Sequence, residues 1–116
     1  MESNLILPDA GKWSGYYFYT PDDTKHRQEM TLSFGVGIVV GSGVDKIGMF
    51  KIKGQYDPEH QEACWEMSYY THTANYRGFY EDNSIWGVWR IANGASGGFR
   101  IWPRQLGRSW LGGIRG

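Results

Sequence analysis

Residues 62–80 have the sequence EACWEMSYYTHTANYRGFY, in which two successive segments alternate between apolar and polar side chains. In residues 62–70 the apolar side chains occupy odd-numbered positions, and in residues 73–80 they occupy even-numbered positions. A period of two is typical of a strand with one buried face. The stretch therefore predicts two half-buried strands that are joined by a turn at His72.

Seven aromatic residues in the chain lie two positions after a glycine. The pairs are Gly11/Trp13, Gly15/Tyr17, Gly48/Phe50, Gly54/Tyr56, Gly78/Tyr80, Gly87/Trp89 and Gly97/Phe99. Residues i and i+2 lie on one face of a strand, and a glycine beside a large ring lets a sheet bend while the ring covers the backbone. The repetition favours a tightly curved sheet, as in a small β-barrel.

Eight extended segments, separated by turn-forming residues, follow one another between positions 12 and 103. The third is predicted over residues 36–40, before a turn at Gly41-Ser42-Gly43, and later turns are predicted at Asp82-Asn83 and Asn93-Gly94. Eight short antiparallel strands without helical periods between them protect their edges when they close into a barrel. We predict an all-β fold, an eight-stranded antiparallel up-and-down β-barrel, with a β-sandwich as the alternative.

One domain accounts for the length of 116 residues, because two domains of half this size would each bury too little surface. We assign residues 1–11 to a lead-in, 12–103 to the barrel and 104–116 to a tail with three arginines and no acid. Trp110, Leu111 and Ile114 of the tail are expected to close one barrel end or to contact a partner, unless this terminus is frayed.

The segment Gly11-Lys12-Trp13 resembles the Gly-x-Trp motif that opens the first strand of lipocalins, and residues 85–91 look like an avidin strand. Over residues 11–103 the chain resembles the calycin superfamily of small up-and-down barrels, which includes both groups. The resemblance implies a ligand-holding barrel in which Arg100 stacks on Trp13. It implies no particular ligand.

The charge balance and the cysteine content limit the partners and the compartment. Twelve basic and twelve acidic residues cancel, so no global positive field attracts nucleic acid or an anionic membrane. Cys64 is the single cysteine, which excludes an internal disulfide and is typical of a reducing compartment. We interpret Cys64 as an unreactive thiol with Glu66 as the charged neighbour on its face. Without a basic, apolar leader at its start, the chain is predicted to be cytoplasmic.

No spacing of reactive residues predicts a catalytic residue, a metal site or a cofactor. His26, His60 and His72 are more than ten residues apart, too far for a local ligand motif. The acids and histidine of residues 57–62 are expected to form a solvated turn that attracts a cation weakly at most. Asp45 is interpreted as a structural residue that binds backbone N–H groups in a turn.

Aromatic side chains at inner positions, together with one turn histidine, are the candidate ligand-binding residues. They are Tyr17, Tyr69, His72, Tyr76 and Trp89. Tyrosine and tryptophan combine an apolar body with a polar tip, which suits a binding cavity. A second aromatic set is predicted to face outward, as a protein interface would. It consists of Tyr16, Phe18, Phe79, Trp86 and Trp102.

We therefore predict a non-catalytic binding or interaction module. Its partner is either a small apolar molecule in the barrel mouth or a protein on the outer aromatic face. The first alternative is an enzyme that uses His72 as general base, with Tyr76 as its hydrogen-bonding partner. The second is a structural homo-oligomer with a filled barrel.

Overall fold

A computed structural model describes residues 7–104, which form eight antiparallel strands and no helix. The strands are β1 (Gly11–Tyr19), β2 (His26–Phe34), β3 (Ile38–Asp45), β4 (Gly48–Asp57), β5 (Glu62–Tyr69), β6 (Thr73–Glu81), β7 (Ser84–Ile91) and β8 (Ser96–Pro103). Each strand pairs with the next, and β8 pairs with β1, so one sheet closes on itself. The predicted eight-stranded up-and-down barrel is confirmed. The sandwich alternative is wrong, because a single closed sheet takes the place of two packed sheets.

The barrel interior is filled by the apolar side chains whose alternation predicts the strands. In β5, the odd-numbered Ala63, Trp65 and Met67 are at most 3% exposed. In β6, the even-numbered Ala74 and Tyr76 are each 4% exposed. Trp65 and Tyr76 are register partners, and their rings stack with centroids 5.8 Å apart. The interior is therefore a packed core.

Glycines on the inner face bring neighbouring strands into close contact. At Gly54 a Cβ atom would lie 2.1 Å from the carbonyl oxygen of Cys64, and at Gly87 it would lie 2.0 Å from that of Arg77. Any side chain at these positions would collide with the adjacent backbone. The same close approach of a neighbouring backbone occurs at five of the seven glycines of the glycine–aromatic pairs: Gly15, Gly54, Gly78, Gly87 and Gly97. At Gly11 and Gly48 nothing lies within 4 Å of a Cβ, and their φ values of 123° and 145° favour glycine instead.

The third strand differs from its predicted position. The sequence predicts a strand over residues 36–40 and a turn at Gly41-Ser42-Gly43, whereas β3 continues through this triplet to Asp45. A Cβ atom on Gly41 would lie 2.2 Å from the carbonyl oxygen of Thr31, and one on Gly43 would lie 2.3 Å from that of Glu29, both in β2. Close packing against β2 therefore requires these glycines. The turn lies at residues 46–47 instead.

The turns divide into two groups, one at each end of the barrel. The turns β1–β2, β3–β4, β5–β6 and β7–β8 form the end that contains His72, which we call the His72 end. The predicted turn at Asn93-Gly94 lies there and is confirmed, with φ of 102° at Gly94. At the other end, Asp82 and Asn83 have φ of 56° and 58°, as the predicted hairpin turn requires.

The segment before β1 packs against the end opposite the His72 end. Pro8 is buried, and the indole Nε1 of Trp13 donates a hydrogen bond of 2.8 Å to the carbonyl oxygen of Asp9. The predicted contacts of Trp110, Leu111 and Ile114 lie outside the described residues. Between residues 7 and 104 there is no helix with the length and apolarity needed to span a membrane.

Candidate functional site

A small cavity at the His72 end is lined by all five candidate ligand-binding residues. Tyr17, Tyr69, Tyr76 and Trp89 come from four different strands, and His72 comes from the β5–β6 turn. The other lining residues are Tyr19, Ile47, Ala74 and Ile91. The cavity volume is ≈ 20 Å³, which accommodates about one water molecule. The five residues are therefore neighbours around a nearly filled space.

Trp89 is a firmly held wall of this cavity. Its Nε1 donates to the carbonyl oxygens of Phe18 and Gly98, both at 3.1 Å. Its ring meets the rings of Tyr17 and Tyr19 edge-on, with centroids 6.2 and 5.0 Å apart. Such contacts are favourable because the ring edge is positive and the ring face is negative. The wall is thus formed before any ligand arrives.

His72 forms part of the cavity rim. Its ring stacks on that of Tyr69 with centroids 4.8 Å apart, and its Nδ1 lies 2.9 Å from the Thr71 hydroxyl. The Tyr76 hydroxyl accepts a hydrogen bond from Gln28, and within residues 7–104 no hydrogen bond joins Tyr76 to His72. The pair on which the general-base alternative depends is not formed.

Two of the lining tyrosines belong to a polar network with Asp45 and Gln28. Gln28 Nε2 donates to Asp45 Oδ2 and to the Tyr76 hydroxyl oxygen, both at 3.2 Å. The Tyr69 hydroxyl donates a short hydrogen bond to the same Asp45 oxygen. The other oxygen of Asp45 accepts the backbone N–H of Ile47 at 2.9 Å. The predicted bond from Asp45 to a backbone N–H is confirmed. The same carboxylate also accepts hydrogen bonds from the side chains of Gln28 and Tyr69.

The sequence reasoning missed Gln28 and the second role of Asp45. Gln28 alternates in register with Met30 and Leu32 in β2, so the parity indicates an inward position, although glutamine is usually exposed. Asp45 can bond to Gln28 and Tyr69 because β3 continues to residue 45. The sequence analysis placed a turn at Gly41-Ser42-Gly43 and therefore ended this strand too early.

Two buried polar atoms at this end have no hydrogen-bond partner among the described residues. They are the Tyr17 hydroxyl and Gln28 Oε1, and these residues are 2% and 0% exposed. An unpaired buried group of this kind costs about 1–3 kcal/mol. A polar group that reaches the Tyr17 hydroxyl would recover part of this cost.

The lining tyrosines are neutral hydrogen-bonding groups. Burial raises the pKa of Tyr17, Tyr69 and Tyr76 well above the ordinary value of 10.0. The hydrogen bond to Asp45 adds to the rise in the pKa of Tyr69, and the negative charge of Asp45 raises the pKa of all three. These phenols therefore keep their protons and act as hydrogen-bond donors and acceptors.

The outer aromatic set lies on four neighbouring strands. Four residues follow one another in register across these strands. They are Phe79 of β6, Trp86 of β7, Arg100 of β8 and Tyr16 of β1. We call these four residues the outer row. Phe79 and Trp86 are 44% and 43% exposed, with ring centroids 6.0 Å apart. Trp102 is also exposed and contacts Tyr16. The predicted outward parity is confirmed.

Arg100 does not stack on Trp13. Trp13 is fully buried inside the barrel and pairs with Pro103, whereas Arg100 lies on the outer face. Alternate positions of a strand face opposite sides, so the expectation that the calycin resemblance implies here is wrong.

Phe18, the remaining outer aromatic, is half-buried over Gly98, where a Cβ would lie 2.4 Å from its ring.

The charged turn after β4 contains a local ion pair. His60 Nδ1 lies 2.8 Å from Asp57 Oδ2, and this hydrogen bond raises the pKa of His60 and lowers that of Asp57. Glu62 pairs with Arg77 at 3.2 Å instead.

Arg77 is also the register partner of the exposed Cys64, so this thiol has a basic neighbour that the sequence reasoning missed.

No family model matches this chain, and no curated protein sequence matches it at significant similarity. The calycin resemblance therefore stays a prediction. A functional proposal rests on the barrel, its His72 end and its outer row.

Proposed function

We propose that this protein is a non-catalytic binding module that holds a small, mostly apolar molecule at the His72 end. The observation that carries the proposal is the buried, unpartnered hydroxyl of Tyr17 at a cavity whose other walls are largely rings and aliphatic groups. Ligand sites typically combine such apolar walls with a few polar groups that fix orientation. A ligand that bonds to Tyr17 removes the cost of an unpaired buried group.

Entry of a ligand requires movement of the rim, because the cavity of ≈ 20 Å³ holds about one water molecule. Ile47 and Tyr19 line the cavity and are 41% and 37% exposed. Exposed side chains change rotamer within picoseconds to nanoseconds. Rotation of Ile47, and of Tyr19 with loss of its edge-on contact to Trp89, widens the entrance while the two hydrogen bonds of Trp89 hold its ring in place.

The chemistry at this end supports binding rather than catalysis. The raised pKa values of Tyr17, Tyr69 and Tyr76 keep these side chains neutral. The Asp45 carboxylate accepts several hydrogen bonds, and His72 is bonded to Thr71 rather than to Tyr76. General acid–base catalysis by His72 needs a partner that orients its ring toward substrate, and Tyr76, the partner predicted from the sequence, is bonded to Gln28 instead. A binding site needs only the donors, acceptors and rings that are present.

We extend the proposal to a calycin-like binding protein of the cytoplasm. The lone cysteine is typical of a reducing compartment. The balanced charge favours a small molecule or a protein over nucleic acid or a membrane surface.

Native mass spectrometry of freshly purified protein tests the binding function. We expect extra mass on the folded chain that is lost on denaturation. We also expect it to be lost in Ala74→Leu, because the larger side chain fills the cavity that Ala74 lines. Val88→Ala, at an outer position that is 60% exposed, is the control and retains the extra mass. Wild-type protein without a bound small molecule contradicts the proposal, as does extra mass that survives Ala74→Leu.

A second candidate function is self-association through the outer row. Its order across the sheet is aromatic, aromatic, arginine, aromatic. If a second copy packs face to face about a two-fold axis between β7 and β8, Trp86 faces Arg100 of the second copy and Phe79 faces its Tyr16. Arginine over tryptophan is a favourable cation–π contact, and Arg100 has no ion-pair partner in the described part of the chain. The row is therefore self-complementary.

Light scattering after size-exclusion chromatography tests this second candidate. We expect a dimer mass for wild-type protein and a monomer mass for Trp86→Arg, which places arginine opposite arginine. Met49→Arg adds the same charge at a position on β4 that is 80% exposed and should stay dimeric. A monomeric wild-type protein rules out the dimer without affecting the binding proposal.

A further inference from the structure

We propose that the cavity at the His72 end accepts a primary ammonium group carried on an unbranched alkyl chain. This inference rests on the proposed binding function and specifies its ligand class. Three properties of the cavity lead to it: the charge beside it, the hydrogen-bonding groups around it and its size.

The charge beside the cavity is negative. The Asp45 carboxylate bonds directly to the hydroxyl of Tyr69, a lining residue. Its charge contributes to the raised pKa of Tyr17 and Tyr76, which also line the cavity. Among the described residues Asp45 forms no ion pair. A cationic ligand would be attracted to this half-buried carboxylate, whereas a carboxylate ligand would be repelled.

The polar groups around the cavity can accept hydrogen bonds from such a cation. The Tyr17 hydroxyl has no partner, and the Tyr76 hydroxyl oxygen accepts from Gln28 Nε2. Behind these lining residues, Gln28 Nε2 donates to the Asp45 carboxylate, and Gln28 Oε1 is an acceptor without a partner among the described residues. An ammonium group carries three donors and no acceptor, and it therefore suits a site that offers the unpartnered Tyr17 hydroxyl, the Tyr76 hydroxyl oxygen and a nearby carboxylate.

The size of the cavity selects the head group. A volume of ≈ 20 Å³ matches about one water molecule, and an –NH₃⁺ group is similar in size to water. A quaternary ammonium head is too large for this space. The alkyl chain of the ligand extends past Ile47 and Tyr19 toward solvent, where it contacts apolar surface.

Calorimetric titration of the full chain with four small probes tests the inference. The probes are n-butylammonium, 1-butanol, butyrate and tetramethylammonium. We expect saturable binding of n-butylammonium and at least about tenfold weaker binding of the neutral, anionic and bulky probes. Asp45→Asn should weaken n-butylammonium binding about tenfold or more. Asp57→Asn, which removes an exposed carboxylate at the opposite end, should leave binding unchanged.

Tyr17→Phe is the second variant, which keeps the test decisive if Asp45→Asn fails to fold. It retains the ring and removes only the unpartnered hydroxyl, so n-butylammonium binding should weaken severalfold in a folded protein. Equal affinity for 1-butanol and n-butylammonium overturns the ammonium inference and leaves the binding function standing. If no probe binds while the purified protein carries another small molecule that Ala74→Leu displaces, the inference alone fails. If no probe binds and no bound molecule is found, both fail.

Discussion

Among single residues, Tyr17 matters most for the proposed binding function. Its ring is packed against Trp89 and His26, while its hydroxyl is buried without a partner among the described residues. The ring therefore stabilises the fold and the hydroxyl opposes it. A group that costs stability in the unliganded protein is what a binding site is expected to contain.

Tyr17→Phe should therefore raise the free energy of unfolding of the ligand-free protein by about 1 kcal/mol, because it deletes an unpaired polar atom and keeps the ring. Tyr76→Phe should lower it by about 1 kcal/mol, because the Gln28 amide loses an acceptor. Urea denaturation of both variants gives the comparison. Equal destabilisation by the two variants contradicts the assignment of Tyr17 as unpartnered.

The ion pair of His60 and Asp57 gives a pH prediction. The raised pKa of His60 stabilises the folded state below the ordinary value of 6.5, and this contribution is lost as pH rises through the folded pKa. The lowered pKa of Asp57 contributes above 3.8 and is lost as pH falls through its folded pKa. The pair is thus most favourable between these two values. NMR titration should show His60 titrating above 6.5, and Asp57→Asn should lower its pKa. An unchanged His60 titration in that variant contradicts the pairing.

At the scale of the strands, alternation predicts most of the barrel and fails where glycine has two possible meanings. The two strands of residues 62–80 show their inward faces directly in the sequence. Gly41-Ser42-Gly43 resembles a turn, but here its glycines allow β3 to approach β2. A local pattern does not distinguish these causes, because the second depends on a neighbouring strand. The side-chain bonds of Asp45 were missed because β3 was predicted to end before residue 41. The inward position of Gln28 was missed because glutamine is usually exposed.

Gly87 provides the test of close backbone approach. Gly87→Ala should lower the free energy of unfolding by about 1–3 kcal/mol, because its Cβ would lie 2.0 Å from the Arg77 carbonyl oxygen. Gly35→Ala is the matched control, since nothing lies within 4 Å of a Cβ there, and its effect should stay within about 0.5 kcal/mol. Thermal or urea unfolding measures both. Equal changes in the free energy of unfolding would contradict the claim that close approach of the Arg77 carbonyl oxygen excludes a side chain at residue 87.

At the scale of the whole molecule, closure of the sheet and filling of its interior determine where a ligand fits. Rings and aliphatic side chains pack most of the barrel, and the lead-in packs against the end opposite His72. The His72 end combines a cavity, an unpaired hydroxyl and a carboxylate. Parity and turn position in the sequence predicted five of the nine residues that line this cavity, and Tyr19, Ile47, Ala74 and Ile91 were not among the predicted residues. The sequence did not predict how little space the lining residues leave, because that depends on packing between all eight strands.

The most direct test of the binding function is NMR chemical-shift mapping of the full chain during titration with a small-fragment set that includes n-butylammonium. If the binding function is correct, saturable shifts appear at the backbone amides of Tyr17, Ile47, Tyr69 and His72 and at the indole N–H of Trp89, and the outer row is unchanged. Shifts confined to the outer row, or no saturable shift at the His72 end with any fragment, would contradict it.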